Sequence, residues 1–128
     1  MNCLLDTCTF LWLTDHVENL STVAREVLEN PANTLILSQV SSIEIQIKYQ
    51  RGRLSLGVPP AAFIREAIRR FDLEYLSLSD EHIWSLGKLP APHRDPFDRL
   101  IIAQALHEGM SIVTPDPQIH AYPIRVHW

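Results

Sequence analysis

Short apolar runs alternate along the chain with longer stretches in which apolar residues recur at helical spacing. The runs have the length of short strands, and they are Cys3-Leu4-Leu5, Leu35-Ile36-Leu37, Ile112-Val113 and Ile124-Arg125-Val126. Parallel strands that are buried on both faces read as continuous apolar runs, and their alternation with helices is typical of layered α/β proteins. The pattern therefore predicts an α/β fold with a mainly parallel central sheet flanked by helices.

Helix-start signals precede four of the stretches with helical spacing. They are Ser21, before a helix that Pro31 stops; Ser41 or Ser42, before a helix that runs through Lys48 and ends near Gly52; Pro59-Pro60; and Ser79. A serine hydroxyl accepts a hydrogen bond from a free N–H group of the first turn, and proline suits the first helical position. We expect a helix at each of these places.

A fifth helix is predicted after Asp95-Pro96-Phe97-Asp98. Asp95 is a suitable N-cap, Pro96 suits the first position, and Gly109 ends the helix. Residues 99–108 are apolar on most faces, so this helix should be buried in the protein.

Composition and length point to one compact domain spanning residues 1–128. The chain has 46% hydrophobic and 20% charged residues, and no apolar run approaches the ~20 residues that a membrane helix needs. The first residues lack a basic segment and carry Asp6 within their apolar stretch, so they do not resemble a secretory signal. We expect a soluble, cytoplasmic protein without membrane association.

The cysteines and histidines do not indicate a soft metal site. Cys3 and Cys8 are too few for a disulfide scaffold, and their spacing fits neither a redox pair nor a zinc knuckle. The six histidines show no H-x-x-x-H spacing.

Four acids are predicted to meet at one edge of the sheet. Asp6 directly follows the first strand, and Asp116 follows Val113-Thr114 after one proline. Glu44 is expected in the first turn of the helix after residues 35–37, and Asp98 in the first turn of the buried helix. Because parallel strands end at the same edge as the following helices begin, these side chains should converge there.

Each acid also has a purely structural explanation. The helix dipole favours an acid in a first turn by ~0.3–1 kcal/mol, which would explain Glu44 or Asp98 taken alone. Asp95 is best explained as an N-cap, and Asp116 as a turn residue in Thr-Pro-Asp-Pro. Asp6 is the hardest to explain in this way, because a carboxylate among core residues is costly to desolvate unless it is paired or bound to metal.

Clustered carboxylates repel one another and therefore require a positive charge among them. Carboxylate oxygens are ligands for hard cations, so the cluster predicts one or two Mg²⁺ or Mn²⁺ ions. Such ions activate water and neutralise a phosphodiester, which indicates metal-assisted phosphodiester hydrolysis. The net charge of −4 agrees with this interpretation, because without these four acids eleven acids balance eleven bases.

Residues near the four acids are candidates for binding a single-stranded RNA. Hydroxyls could orient a carboxylate or water, and cations could contact phosphates. The candidates are Thr7, Lys48, Arg94, Arg99 and Thr114. Each of these residues has an equally good structural explanation. The threonines favour the ends of strands, and the cations are charges that water solvates at the surface.

The sequence resembles PIN-domain proteins, specifically the VapC-type toxin ribonucleases of type II toxin–antitoxin pairs. Residues 93–105 (HRDPFDRLIIAQA) form the most specific part of this resemblance. The other parts are Leu4-Leu5-Asp6-Thr7 with Leu11-Trp12, Ser42-Ile43-Glu44-Ile45 with Lys48 and Gly52-Arg53-Leu54, Leu89-Pro90, Val113-Thr114-Pro115-Asp116, and Val126-His127-Trp128.

The resemblance implies a PIN-like three-layer sandwich with Mg²⁺- or Mn²⁺-dependent endoribonuclease activity. It also implies homodimerisation and inhibition by a cognate antitoxin that enters the acidic groove. Carried over by position, the catalytic and metal-binding acids are Asp6, Glu44, Asp98 and Asp116, with Asp95 close enough to share in the site. The chain departs from the family at Cys8, where histidine is frequent, and at Ile43, where an aromatic residue is frequent.

Two other functions compete with this interpretation. In the first, a non-catalytic PIN-like module uses the acidic pocket only to bind a basic segment of a partner. In the second, a receiver- or phosphatase-like domain uses Asp6 as a phosphoryl acceptor, but Cys8 stands where a second acid would be expected and no lysine is placed at a late strand end.

Overall fold

The computed structural model describes residues 1–90 and 95–128. Five strands form one sheet: β1 (Asn2–Leu5), β2 (Thr34–Ser38), β3 (Glu74–Leu76), β4 (Ser111–Val113) and β5 (Val126–His127). Their order is β3-β2-β1-β4-β5, and every neighbouring pair is parallel. The predicted α/β fold with a mainly parallel sheet is confirmed.

Helices cover both faces of the sheet. They are α1 (Thr7–Asp15), α2 (Thr22–Glu29), α3 (Gln39–Gln50), α4 (Pro60–Arg70), α5 (Asp80–Ser85) and α6 (Pro96–Glu108), with short 3₁₀ turns at Val17–Asn19, Leu86–Lys88 and Ile119–Ala121. Successive strand residues point to opposite faces. Leu5 and Leu37 therefore join the core under α1, α2 and α4, whereas Leu4 and Ile36 join the core under α6.

Most of the predicted helix starts are confirmed. The side chains of Ser21 and Ser79 accept hydrogen bonds from the backbone of the first turns of α2 and α5, and Asp95 caps α6 in the same way. Pro60 and Pro96 occupy early positions of α4 and α6. The buried character of α6 is also confirmed along residues 101–105.

The predicted start of α3 is wrong. The helix begins at Gln39, directly after β2, because the hydroxyl of Ser38 rather than Ser41 or Ser42 accepts from the first turn, at Val40 N. Glu44 consequently lies in the second turn of α3 and not in the first. The helix dipole, whose effect is confined to the terminal turn, does not explain an acid at this position.

Two strands differ from the prediction. The last strand begins at Val126 rather than at Ile124, because the N–H of Ile124 bonds to the carbonyl of Tyr122 in a turn just after Pro123. Strand β3 was not predicted, since it is only three residues long and two of them, Glu74 and Tyr75, are exposed. It forms one edge of the sheet.

Within the described ranges, no helix combines the length and the apolar character required to cross a membrane.

The C-terminal end of α6 offers a matched test of backbone conformation. Gly109 ends the helix with φ +68°, whereas Gly87 has an ordinary φ and, like Gly109, no atom near the position of an added Cβ. We expect Gly109→Ala to lower the free energy of unfolding by about 1 kcal/mol, because an L-residue is strained at positive φ. Urea denaturation measures this difference in the free energy of unfolding, provided that both proteins show the same dependence of that free energy on urea concentration.

Gly87→Ala is the control for this prediction, and its free energy of unfolding should be unchanged or slightly higher. Equal losses in the two variants would contradict the conformational explanation for Gly109.

Candidate active site

A cavity of about 400 Å³ lies at the carboxyl edge of the sheet. It is lined by acids from four separate segments of the chain, together with one lysine and several smaller side chains. The lining residues are Asp6, Thr7, Cys8, Leu11, Glu44, Lys48, Asp95, Asp98, Pro115 and Asp116. The structure thus brings the four predicted acids together and adds Asp95 to them.

Asp6 connects three elements at the centre of this edge. It follows β1 and caps α1, where its Oδ1 accepts from the N–H of Thr9 at 2.8 Å. Its Oδ2 accepts from the hydroxyl of Thr114, just after β4, at 2.5 Å. The residue is only 4% exposed. Burial raises its pKa, and the nearby charge of Asp116 adds to this rise, while the bonds from Thr114 and Thr9 oppose it incompletely.

Glu44 projects from α3 towards the same cavity and is also buried. The hydroxyl of Thr7 lies 2.8 Å from Oε1, and the ammonium of Lys48 lies 2.5 Å from Oε2. The Thr7 hydroxyl also lies 2.9 Å from Ser41 Oγ. Groups from two helices, α1 and α3, therefore orient Glu44. The helix dipole alone does not account for these contacts.

Asp95 and Asp98 belong to the start of α6. Oδ1 of Asp95 accepts from the N–H groups of Phe97 at 2.9 Å and of Asp98 at 3.3 Å, so the predicted capping role is confirmed. Asp98 lies in the first turn, as predicted, and borders the cavity. Asp95 borders it as well, so capping the helix does not remove its carboxylate from the site.

Asp116 combines a turn with a place at the cavity. Its Oδ1 accepts from the N–H of Gln118 at 2.9 Å, which supports the turn that the sequence indicated. Its own N–H donates to Thr114 Oγ1 at 3.1 Å, so one threonine contacts both Asp6 and Asp116.

The residues predicted to contact substrate have different positions. Lys48 lines the cavity but is bound to Glu44, and Thr7 and Thr114 are buried with their hydroxyls against carboxylates. Arg99 donates instead to the carbonyl of Pro90 at 3.0 Å and lies 3.4 Å from the hydroxyl of Tyr122. Arg94 lies outside the described residues.

Ser41 and Thr9 contact residues of the site and were not predicted from the sequence. The Thr9 hydroxyl donates to the carbonyl of Val113 at 2.9 Å and so joins α1 to the end of β4. Ser41 precedes Glu44 by three residues and lies on the same side of α3. This spacing is the one signal in the sequence that could have identified Ser41.

Cys8 experiences the negative potential of the cavity. Burial and the charges of Asp6, Glu44 and Asp98 raise the pKa of its thiol to about 11, although Lys48 opposes this rise. The thiol therefore stays protonated near neutral pH and is not an activated nucleophile.

The carboxylate oxygens around the cavity have the chemistry that Mg²⁺ and Mn²⁺ prefer. Across residues 1–90 and 95–128, however, no three His, Cys, Asp or Glu side chains are arranged so that they could hold a metal ion. The donor atoms are of the type that binds a hard cation. In this structure both carboxylate oxygens of Asp6 and both of Glu44 accept hydrogen bonds from other groups of the protein.

Two further cavities lie away from the acids. One of about 320 Å³ lies between α1 and α4, and one of about 400 Å³ lies between α3 and α4. Their walls are mostly apolar, and none of the five acids lines either one. The acidic cavity is therefore the better candidate for hydrolytic chemistry.

Comparison with known proteins agrees with this architecture. The family model "PIN domain" matches residues 3–124, and the chain therefore belongs to the PIN domain family. It is 24% identical to ribonuclease VapC22 of Mycobacterium tuberculosis, over 93% of this chain and 90% of that protein.

Solved structures show the same fold at low sequence identity. VapBC2 from Rickettsia felis, bound to a DNA fragment from its promoter, is similar with a TM-score of 0.71 and 17% identity, over 98% of this chain and 97% of that chain. VapBC-1 from nontypeable Haemophilus influenzae is similar with a TM-score of 0.63 and 17% identity, over 98% and 96% of the two chains.

The burial of Asp6 predicts a change in the pH dependence of stability. Because the folded-state pKa of Asp6 is raised above its ordinary value of 3.8, its ionisation lowers the free energy of unfolding as the pH rises through that pKa. Asp6→Asn keeps a capping residue and removes the charge. We expect it to be more stable than the parent at pH 7 in EDTA, with the difference closing as the pH falls towards the ordinary carboxyl range.

Asp80→Asn is the matched control, because Asp80 is an exposed acid in the first turn of α5. Asp80→Asn removes the same charge from an exposed position, where no desolvation cost is relieved. Its free energy of unfolding should therefore not rise above that of the parent. Urea denaturation from pH 4 to pH 8 measures both variants, and a stability gain for Asp6→Asn that is independent of pH would contradict the explanation.

Proposed function

We propose that this protein is a metal-dependent endoribonuclease and the toxin of a type II toxin–antitoxin pair. The observation that carries the proposal is the meeting of five carboxylates around one cavity at the carboxyl edge of a PIN-domain sheet. The similarity to a protein named ribonuclease VapC22 supports RNA as the substrate. Hydrolysis of RNA phosphodiester bonds is the reaction.

Four acids would hold one or two Mg²⁺ or Mn²⁺ ions in this cavity: Asp6, Glu44, Asp98 and Asp116. Asp95 also lines the cavity, and it would join the metal site when the hydrogen bonds by which it caps α6 leave an oxygen available. When bound, the ions supply an activated water and neutralise charge on the phosphodiester. The donor set supports this choice of ion because it consists of carboxylate oxygens.

The protein itself orients these acids. Thr114 and the N–H of Thr9 hold the two oxygens of Asp6, and Thr7 holds one oxygen of Glu44. Because Asp6 and Glu44 are buried, their orientation is determined by these few bonds rather than by solvent. Fixed carboxylates at the floor of the cavity leave its open side for the RNA backbone.

Lys48 is the cation best placed to contact an RNA phosphate, since it lines the cavity and is half exposed. Arg99 donates to the carbonyl of Pro90 and lies near the hydroxyl of Tyr122, and it stays a predicted phosphate ligand. Arg94 stays a predicted phosphate ligand.

The partner proposed for the chain is a cognate antitoxin that enters the acidic cavity with a basic side chain. Solved structures with this fold include VapBC complexes from Rickettsia felis and Haemophilus influenzae, and the charge of the cavity is complementary to a basic segment. We further propose that the chain forms a homodimer and acts in the cytoplasm.

A non-catalytic module that uses the same acids only to bind a basic partner is the competing function. It shares the cavity and its charge, and it differs in requiring neither metal nor RNA.

Asp98→Asn distinguishes the two functions. We expect the purified chain, freed of antitoxin, to cleave RNA in Mg²⁺ or Mn²⁺ and not in EDTA. Asp98→Asn should reduce the cleavage rate on the order of a hundredfold or more, because a metal ligand is lost. Circular dichroism should show an unchanged fold, since asparagine is tolerated in a first turn. Gel analysis of a labelled RNA panel measures the rates.

Asp80→Asn is the matched control, because Asp80 occupies the equivalent first turn of α5 and is exposed. Its cleavage rate should equal that of the parent. If the parent neither cleaves RNA nor binds Mn²⁺ by calorimetry, the nuclease proposal is wrong and the binding module is favoured.

A further inference from the structure

The ion pair between Lys48 and Glu44 has one buried and one exposed member. The two residues are four apart on α3, with Nζ 2.5 Å from Oε2. The side chain of Glu44 is only 6% exposed, whereas that of Lys48 is 48% exposed. Glu44 is therefore the confined member of the pair, and Lys48 is the member with room to take another position.

Lys48 lines the cavity together with three of its acids, Glu44, Asp95 and Asp98. Burial is the largest single influence on Lys48 and opposes its charge, but the bond and charge of Glu44, with the charges of Asp95 and Asp98, together raise its pKa. The exposed pair Arg69–Glu66 on α4 differs, since Glu66 alone raises the pKa of Arg69. A cation that faces three acids from two helices is part of the site's charge balance.

The ammonium of Lys48 also occupies an oxygen that a metal ion would need. Oε1 of Glu44 accepts from Thr7, and Oε2 accepts from Lys48. Withdrawal of Lys48 frees Oε2 without disturbing the bond from Thr7.

We propose that Lys48 is the resident cation of the acidic cavity, which holds Glu44 when no divalent ion is bound and leaves Glu44 when that ion binds. The proposal rests on the proposed metal-dependent function. Once released, the half-exposed side chain of Lys48 still lies at the wall of the cavity. An RNA phosphate is the group of opposite charge that its ammonium would bind there. Lys48 is thus a positioning residue for Glu44 in the metal-free protein.

The chain offers an internal control for a direct test, because its two lysines are Lys48 and Lys88. Lys88 lies in the 3₁₀ turn Leu86–Lys88 and does not line the acidic cavity. In protein labelled with ¹³C and ¹⁵N at lysine, Lys88→Arg assigns the two side-chain signals. Titration with Mg²⁺ should shift the Cε and Nζ signals of Lys48 and leave those of Lys88 unchanged.

Lys48→Met tests the competition through metal affinity. Removing the ammonium leaves the cavity more negative and Oε2 of Glu44 accessible, so we expect Mn²⁺ to bind about tenfold tighter by calorimetry. Unfolding in EDTA should occur at a lower temperature, because a buried carboxylate has lost a partner. RNA cleavage should nevertheless become slower, since the phosphate contact is lost.

Two variants control for charge. Lys48→Arg retains the cation and should bind Mn²⁺ within about threefold of the parent, since a charge of the same sign still competes for Glu44. Arg65→Met removes one positive charge from the exposed face of α4, outside the acidic cavity, and its affinity for Mn²⁺ should equal that of the parent.

The outcomes separate this proposal from the proposed function. If the parent binds Mn²⁺ and Lys48→Met binds it equally well, with no Mg²⁺-dependent shift of the Lys48 signals, Lys48 is not the resident cation although the metal-dependent nuclease stands. If the parent binds no metal, the metal-dependent function fails and this proposal fails with it.

Discussion

The carboxylate of Asp6 is the group on which the arrangement of this edge depends. Asp6 directly follows β1, caps α1 through the N–H of Thr9 and accepts from Thr114 beyond β4, so that one side chain joins three elements. A buried carboxylate tolerates no unpaired oxygen. The positions of α1 and of the segment after β4 are therefore tied to the same charge that serves the proposed chemistry.

The acidic cavity lowers the stability of the metal-free fold. Burial raises the pKa of Asp6, and the charge of Asp116 adds to this rise, so the metal-free fold carries an electrostatic cost at neutral pH. Two features limit that cost. Hydroxyls of Thr7 and Thr114 bond to the buried acids, and the ammonium of Lys48 lies on Glu44. Three of the residues predicted to contact RNA, Thr7, Lys48 and Thr114, thus contact carboxylates in this structure.

Much of the fold could be predicted because its determinants are local. Apolar runs marked three of the strands correctly, and the caps Ser21, Ser79 and Asp95 act on N–H groups only two or three residues away. Predictions failed where tertiary contacts decide. Ser38 caps α3 because β2 ends there, and β3 exists because its backbone pairs with β2, although Glu74 and Tyr75 are exposed.

For the site, the sequence by itself determined that Asp6 and Asp116 follow strands and that Asp98 begins a helix, since that depends on order along the chain. Glu44 lies one turn further into α3 than the sequence predicted. The rule that parallel strands end at one edge was then enough to predict the meeting of Asp6, Glu44, Asp98 and Asp116. Only the tertiary structure decided which groups those acids contact. The bonds of Thr114 to Asp6 and of Thr7 to Glu44 join residues 108 and 37 positions apart. Hydrogen bonds act over about 3 Å, a distance that separation along the sequence does not specify.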